Sequence, residues 1–362
     1  MRDGHVTRLR YAMSIRVNKE MAVGTLVFGL LALVSCQGDV GGPGSAQPEP
    51  EMVGSADPTA EPSLPKPEPA KLRTSRLLRL EQALDNWYIA AERQEYGRKE
   101  SLEQLLLEYT SSNLDAIISD LKHGSPRYRR VMAAALGFSG NASVVDPLMD
   151  ALTDPYYEVV QHALLSLYHL TRPAPKPMNR GGGGGRAGRL VNQKLVVRKP
   201  ISTSLIAAEK VATYLQHHRP EVRCNAALAL RPLLSPESTP NSVLLALINA
   251  SEDLDDRTRV HALAALAATR ASEAIPHLVK ALSDRLPLVR IRASLGLARV
   301  GDAQTAPYLI DLLEREAETA EVKRFVARAL GVLLNVSGEA GLVTDPEPWR
   351  KRAQEAGILQ GG

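Results

Sequence analysis

The chain has 362 residues, of which 23% are charged and 4% aromatic, and its formal net charge is +4. Arg2, Arg8, Arg10, Arg16 and Lys19 stand against Asp3 and Glu20 in the first 35 residues, a net +3 that leaves +1 for everything else. A remainder so close to neutral gives no electrostatic footprint for nucleic acid, and the abundance of Ala and Leu with three Phe and two Trp predicts helices packed closely through small side chains.

The first element in chain order is the uncharged stretch Met21–Ser35, preceded by basic residues and followed by a Gly/Pro-rich segment. That is the layout of a secretory signal, and the stretch is shorter than the ~20 residues a membrane-spanning helix needs. Leu33-Val34-Ser35-Cys36 resembles a bacterial lipobox. The resemblance implies that residues 1–35 are a signal peptide and that Cys36 is acylated as the first mature residue. An ordinary signal with a chance cysteine, or an uncleaved anchor, is the competing reading. Gln37, where many inner-membrane lipoproteins carry Asp, implies the outer membrane over the inner. With Cys36 acylated, Cys224 has no intrachain partner, so the exported part is expected to contain no disulfide.

Residues 36–73 follow as a predicted disordered tether, with eight prolines and five glycines and no hydrophobic periodicity. It would reach on the order of 100 Å if extended and about 35 Å as a coil. A helical cap is expected over 74–111: Leu77, Leu80, Leu84, Trp87 and Ala91 recur at helical steps, then Leu102, Leu105, Leu106 and Tyr109. A further helix carries Leu114, Ile117, Ile118 and Leu121.

From Tyr128 a pattern recurs six times. Starting residues Tyr128, Val159, Val222, Thr258, Val289 and Val322 are each followed at step seven by Ala, Ser or Gly and at step eight by Leu. Steps four, seven and eight share a helix face with the start. The small residue lets a neighbouring helix approach and the leucine fills the space beside it. Alternate helices begin near prolines: Pro147, Pro240, Pro276 and Pro307. The segments Glu221-Val222-Arg223-Cys224-Asn225-Ala226-Ala227-Leu228-Ala229-Leu230, Leu288–Leu297 and Ala274–Leu282 resemble the HEAT-repeat family, in the short form of phycobilin-lyase-type repeats. The resemblance spans about 112–335 and implies an all-α solenoid of about six helix pairs, with 336–362 as C-terminal cap and tail and Trp349 covering the last repeat, as Trp87 does at the front.

The starts are spaced 31, 63, 36, 31 and 33 residues apart. The long interval invites a hidden repeat, but a start at Val191 would put Arg198 and Lys199 at the small and leucine positions. Residues 171–200 therefore read as an insertion, after which helices are expected over Ile201–His217 and Pro220–Leu234. Eight bases fill it, among them Arg180, Arg186, Arg189, Lys194, Arg198 and Lys199 around a Gly181–Gly185 tract, and no acid occurs between Val159 and Ala208. One reading is a basic loop for an anionic partner; the other is a solvated excursion without one. A second stripe of bases sits one residue past the starts, at Arg129, Arg223, Arg259, Arg290 and Lys323, with Val160 the exception. It reads as inter-repeat pairing, with Asp154, Asp255, Asp256 and Asp284 as candidate partners.

No motif for catalysis stands out. The histidines form neither a His-Glu pair nor a zinc-protease run, the glycines are not followed by Gly-Lys-Ser/Thr, and Cys224 sits inside a signature helix. Bilin-lyase chemistry is implied only by the repeat type, and an envelope lipoprotein argues against it. The expectation is a lipid-anchored envelope protein whose solenoid binds a protein partner as a scaffold, without catalysis, metal or cofactor; binding of an anionic polymer through 171–200 is the alternative.

Overall fold

The computed structural model describes residues 74–172, 201–203, 206–315 and 318–359. The expected signal peptide, Cys36, the expected tether and the six basic residues from Arg180 to Lys199 lie outside the described residues. Among the described residues the regular structure is helical throughout. Two helices lead in, α1 (Thr74–Glu92) and α2 (Tyr96–Ser112). Then come α3 (Leu114–His123), α4 (Pro126–Leu136), α5 (Val145–Ala151) and α6 (Tyr157–Thr171). The chain continues through α7 (Ala208–Ala212), α8 (Pro220–Leu230), α9 (Asn241–Ala250) and α10 (Asp256–Thr269). It ends with α11 (Ile275–Ala281), α12 (Pro287–Val300), α13 (Ala306–Glu314), α14 (Ala320–Leu333) and α15 (Glu347–Glu355).

The six signature helices are α4, α6, α8, α10, α12 and α14, and each packs directly on the next. The alternate helices α3, α5, α7, α9, α11 and α13 form a second layer, each against the signature helix that follows it. All six step-eight leucines, Leu136, Leu167, Leu230, Leu266, Leu297 and Leu330, are buried, and so are the small residues at step seven. At Gly296 the reason is direct: a Cβ there would come within 2.6 Å of a Leu278 methyl on α11. Ser166 uses its small size differently, donating its hydroxyl to Ala133 O of the previous signature helix at 2.6 Å. Proline opens α4, α8 and α12 at the first turn, where no backbone donor is lost. Asp255 caps α10 by accepting from Thr258 N at 2.8 Å.

The interval of 63 residues is a break in the sequence and not in the stack. Helix α6 lies against α8 with nothing between them. Tyr214 donates its hydroxyl to Leu152 O at 2.7 Å, Lys210 Nζ reaches Met149 O at 3.0 Å, and Asn225 donates to Gln161 O at 3.2 Å. The excursion also closes on itself: Ile201 N donates to Leu170 O at 3.0 Å, so the chain returns to the helix end it left.

Three local expectations are corrected. The helix expected from Ile201 begins only at Ala208 and passes into a tight turn over Thr213–Gln216, while Ile201 N–H ties the chain to Leu170 O at the end of α6. Helix α8 ends at Leu230, where Arg231–Leu233 tightens into a 3-10 turn containing Pro232. In α2 the buried face is Leu106, Leu107 and Thr110, while Leu105 is exposed. At the far end α15 packs on α13, and Trp349 is buried with its indole N–H on Val343 O at 2.7 Å.

Candidate functional site

Along one edge of the stack runs a ladder of ion pairs. At four of the six starts the residue one step on is an arginine that reaches forward to an acid in the next turn; Val160 and Lys323 stand at the other two. Arg129 forks onto Asp154 (2.6 and 3.2 Å), Arg223 onto Asp253 (2.7 and 2.8 Å) and Arg259 onto Asp284 (2.8 and 3.1 Å). Arg290 meets Glu318 at 2.7 Å. Each arginine also donates backward to a carbonyl of its own turn: Gly124, His217, Asp253 and Asp284. The aspartates accept in turn from backbone N–H groups two residues on, at Tyr156, Asp255 and Leu286. Every charge is thus spent within the scaffold. The partners differ in part from those expected: Asp253 serves Arg223, and Asp255 is the helix cap.

The rung between α6 and α8 lacks its ion pair. Val160 replaces the arginine, and His217 stands where the aspartate would. His217 Nδ1 accepts from Arg219 N at 3.1 Å, the same turn-closing role, with no net charge required. Burial is the main cause that lowers the pKa of His217, followed by the adjacent His218.

Water reaches the signature helices mainly at steps two or three, six, and nine or ten. From step two to step ten the six helices carry six arginines and no acid: Arg130, Arg231, Arg292, Arg299, Arg324 and Arg328. This stripe is absent from the sequence expectations, although it is legible there once the core steps are set aside. Its two ends differ. Over α4 and α6 it is covered by α1. Glu81 of α1 accepts from Arg127 at 2.6 Å and from Arg130 at 2.7 Å. Trp87 is buried, its ring edge-on to Phe138 and His169 with centroids 5.0 and 5.1 Å away, and its N–H on Glu103 at 3.1 Å. Tyr88 approaches His162 at 6.4 Å.

Over α8 to α14 no such helix lies on the stripe among the described residues. Arg231, Arg292, Arg299, Arg324 and Arg328 make no hydrogen bond or ion pair among the described residues. The Nε of Arg292 is buried and unpartnered. Burial and the field of Arg231 both lower the pKa of Arg292. His261 lies within the same field: burial, then Arg292 and Arg231, push it down to about 4. His162, under α1, is also held at about 4, by burial and then Arg130. Burial raises the Cys224 thiol to about 12, which leaves it protonated and a poor nucleophile at neutral pH.

Among the described residues no grouping of three His, Cys, Asp or Glu has the geometry to hold a metal, and no helix is long and apolar enough to cross a membrane. A model of the HEAT repeats matches residues 242–331, from α9 into α14. No curated protein sequence matches the chain significantly. Among solved structures the chain is similar to the complex of CpcE and CpcF of phycocyanin lyase from Nostoc sp. PCC7120, at 18% identity and TM-score 0.36, over 83% of this chain and 100% of that one. It is similar to the Escherichia coli protein YibA at 18% identity and TM-score 0.45, over 79% and 97%. A designed armadillo repeat protein in complex with the peptide (KR)4 gives 15% identity and TM-score 0.38, over 62% and 99%. Likenesses at this level add nothing to what the helix pairing shows by itself. Residues 242–331 are thus HEAT repeats, and the helix pairs before them continue the same stack with the same signature.

Proposed function

We propose that this protein is an envelope lipoprotein whose HEAT-repeat stack is a non-catalytic scaffold for another protein. The observation that carries the reading is the unbroken succession of signature helices from α4 to α14, whose stripe over α8 to α14 faces water among the described residues. Extended stacks of this kind bind by summing many modest contacts along a surface. The ion-pair ladder serves that role by fixing the relative positions of the rungs. An acyl chain on Cys36 would localise the protein, and the Pro/Gly-rich segment 36–73 would set how far the stack stands from the membrane. By the resemblance at Gln37 the outer membrane is the favoured site. The protonated, partly buried Cys224 and the neutral His162 and His261 favour a surface without an activated nucleophile or acid–base pair.

Affinity capture after crosslinking in the intact envelope tests the scaffold: a reproducible protein partner is expected, and its consistent absence refutes the reading. Cys36→Ser should abolish incorporation of a labelled fatty acid; persistent labelling refutes the anchor. A second reading, binding of an anionic polymer by residues 171–200, is favoured by the eight bases of that segment and the lack of any acid between Val159 and Ala208. Deleting Arg180–Arg189 should then reduce salt-sensitive retention on an anionic matrix, and unchanged retention excludes it.

A further inference from the structure

The C-terminal part of the stripe has the chemistry of an unfilled dock. Five arginines lie along it, Arg231 in the turn that ends α8 and the others on α12 and α14, with no acid from step two to step ten of these segments or of α10 between them. Arg292 lies in the field of Arg231 with no ion-pair partner among the described residues, and the usual remedy for such a charge is a carboxylate within reach. Every ladder arginine on the adjoining edge has that remedy, so the scaffold does not lack the means to supply one. Between the arginines the surface is apolar and shallow: Leu228 on α8, Ala264 on α10 and Leu295 on α12 occupy step six and are partly exposed. His261, neutral at physiological pH, adds one N–H donor.

The same molecule displays how such a surface is satisfied. Helix α1 lies on the stripe of α4 and α6, sets one glutamate on two arginines, and buries Leu77, Leu80, Leu84 and Trp87 alongside. We infer that the stripe over α8–α14 binds an acid-bearing amphipathic helix of a partner protein in the manner of α1, its carboxylates on Arg231, Arg292 and Arg328 and its apolar side chains over Leu228 and Leu295. This deepens the scaffold reading and rests on it, by naming the face and the chemistry of the partner. The basic residues of 171–200 are not needed for it.

The probe is a fluorescent 19-residue helical peptide with Glu at i, i+4 spacing and a Trp on the same face, titrated into the full-length protein in detergent at two salt concentrations. Binding that weakens with salt is expected, as charge pairing across an interface dictates. In the variant Arg231→Gln/Arg324→Gln/Arg328→Gln affinity should fall by about tenfold or more, the sum of several exposed pairs. These three side chains are exposed, so helicity and melting should stay unchanged. Arg292→Gln alone should give a further loss. Equal binding of a Gln-for-Glu peptide, or unaltered affinity in the triple variant, overturns the inference. A full-length variant with the acids of residues 37–73 changed to amides checks the other occupant. If it binds the probe at least tenfold tighter, the chain's own N-terminal segment fills the dock and the partner assignment is wrong. Crosslinked capture that survives the triple variant leaves the scaffold reading standing and removes this site; loss of all capture in the unaltered protein removes the scaffold reading itself.

Discussion

The two ends of the water-facing stripe are built from one repeat and have opposite electrostatic fates. Over α4 and α6 the arginine at step two is paired, the histidine at step three is shielded by Tyr88, and a buried tryptophan seals the surface. Over α8 to α14 no described helix covers the equivalent stripe, and its arginines have no hydrogen bond or ion pair among the described residues. The repeat itself therefore does not decide whether the stripe is sealed. What decides it is a single additional helix, α1, which carries the acid and the aromatic rings that the repeats lack.

The comparison can be broken most forcefully at its covered end. Trp87→Ala should remove about 3–5 kcal/mol, the usual loss for a buried aromatic truncated to alanine, read as a fall in denaturant midpoint. A loss below about 1 kcal/mol would mean that α1 is not integral to the stack. Asp284→Ala strips the fork from Arg259 and the turn bond from Leu286 N, and leaves a guanidinium that is only 9% exposed. The expected loss is about 1–2 kcal/mol, more than for an exposed pair because the buried guanidinium then keeps only Asp256, at 2.7 Å, as a carboxylate partner. The rung at Val160 and His217 lacks that ion pair to begin with, so His217→Ala should be milder; equal losses would show that the ladder is not electrostatic.

Acid should weaken both ends alike. In the fold His162 and His261 are held near pKa 4, while the unfolded chain titrates near 6.5. Their neutral forms contribute full stability above about pH 6.5, and that contribution is lost as pH falls toward 4, because the unfolded chain takes up protons first. Arg130 and Tyr88 face His162, while Arg292, Arg231, Asp255 and Arg257 surround His261. The loss should be on the order of 1 kcal/mol for each ring, given that water reaches their edges. Changing both to Gln should flatten the pH–stability profile between 4 and 6.5, and an unflattened profile contradicts the assignment. The smallest effect is expected for Glu81→Gln, about 1 kcal/mol or less, since Arg127 and Arg130 remain hydrated. That variant makes the covered end resemble the open one and should leave the melting cooperative.

Much of this was legible in the sequence, for identifiable reasons. Steps four, seven and eight encode burial, so Leu136 through Leu330 marked the core of all six helices. The arginine past each start pointed to pairing, because a charge at the edge of a buried face needs a partner. Which acid would serve was less legible. Asp253 and Asp255 lie two residues apart in one turn, and only backbone geometry decides that the first accepts from Arg223 while the second caps a helix. The seat of α1 on the stripe is a long-range packing choice without local periodicity. The lack of acids along the stripe is written in the chain but silent about location until the helices are stacked.

The bond from Ile201 N to Leu170 O makes residues 173–200 a cassette. Its entry and exit are fastened together by the protein itself, so the register of α6 against α8 does not depend on what is carried between them. A change of length or charge there should pass unfelt by the repeats. The same junction would accept a foreign domain or a spectroscopic label, giving the solenoid a port that can be re-equipped without rebuilding the stack.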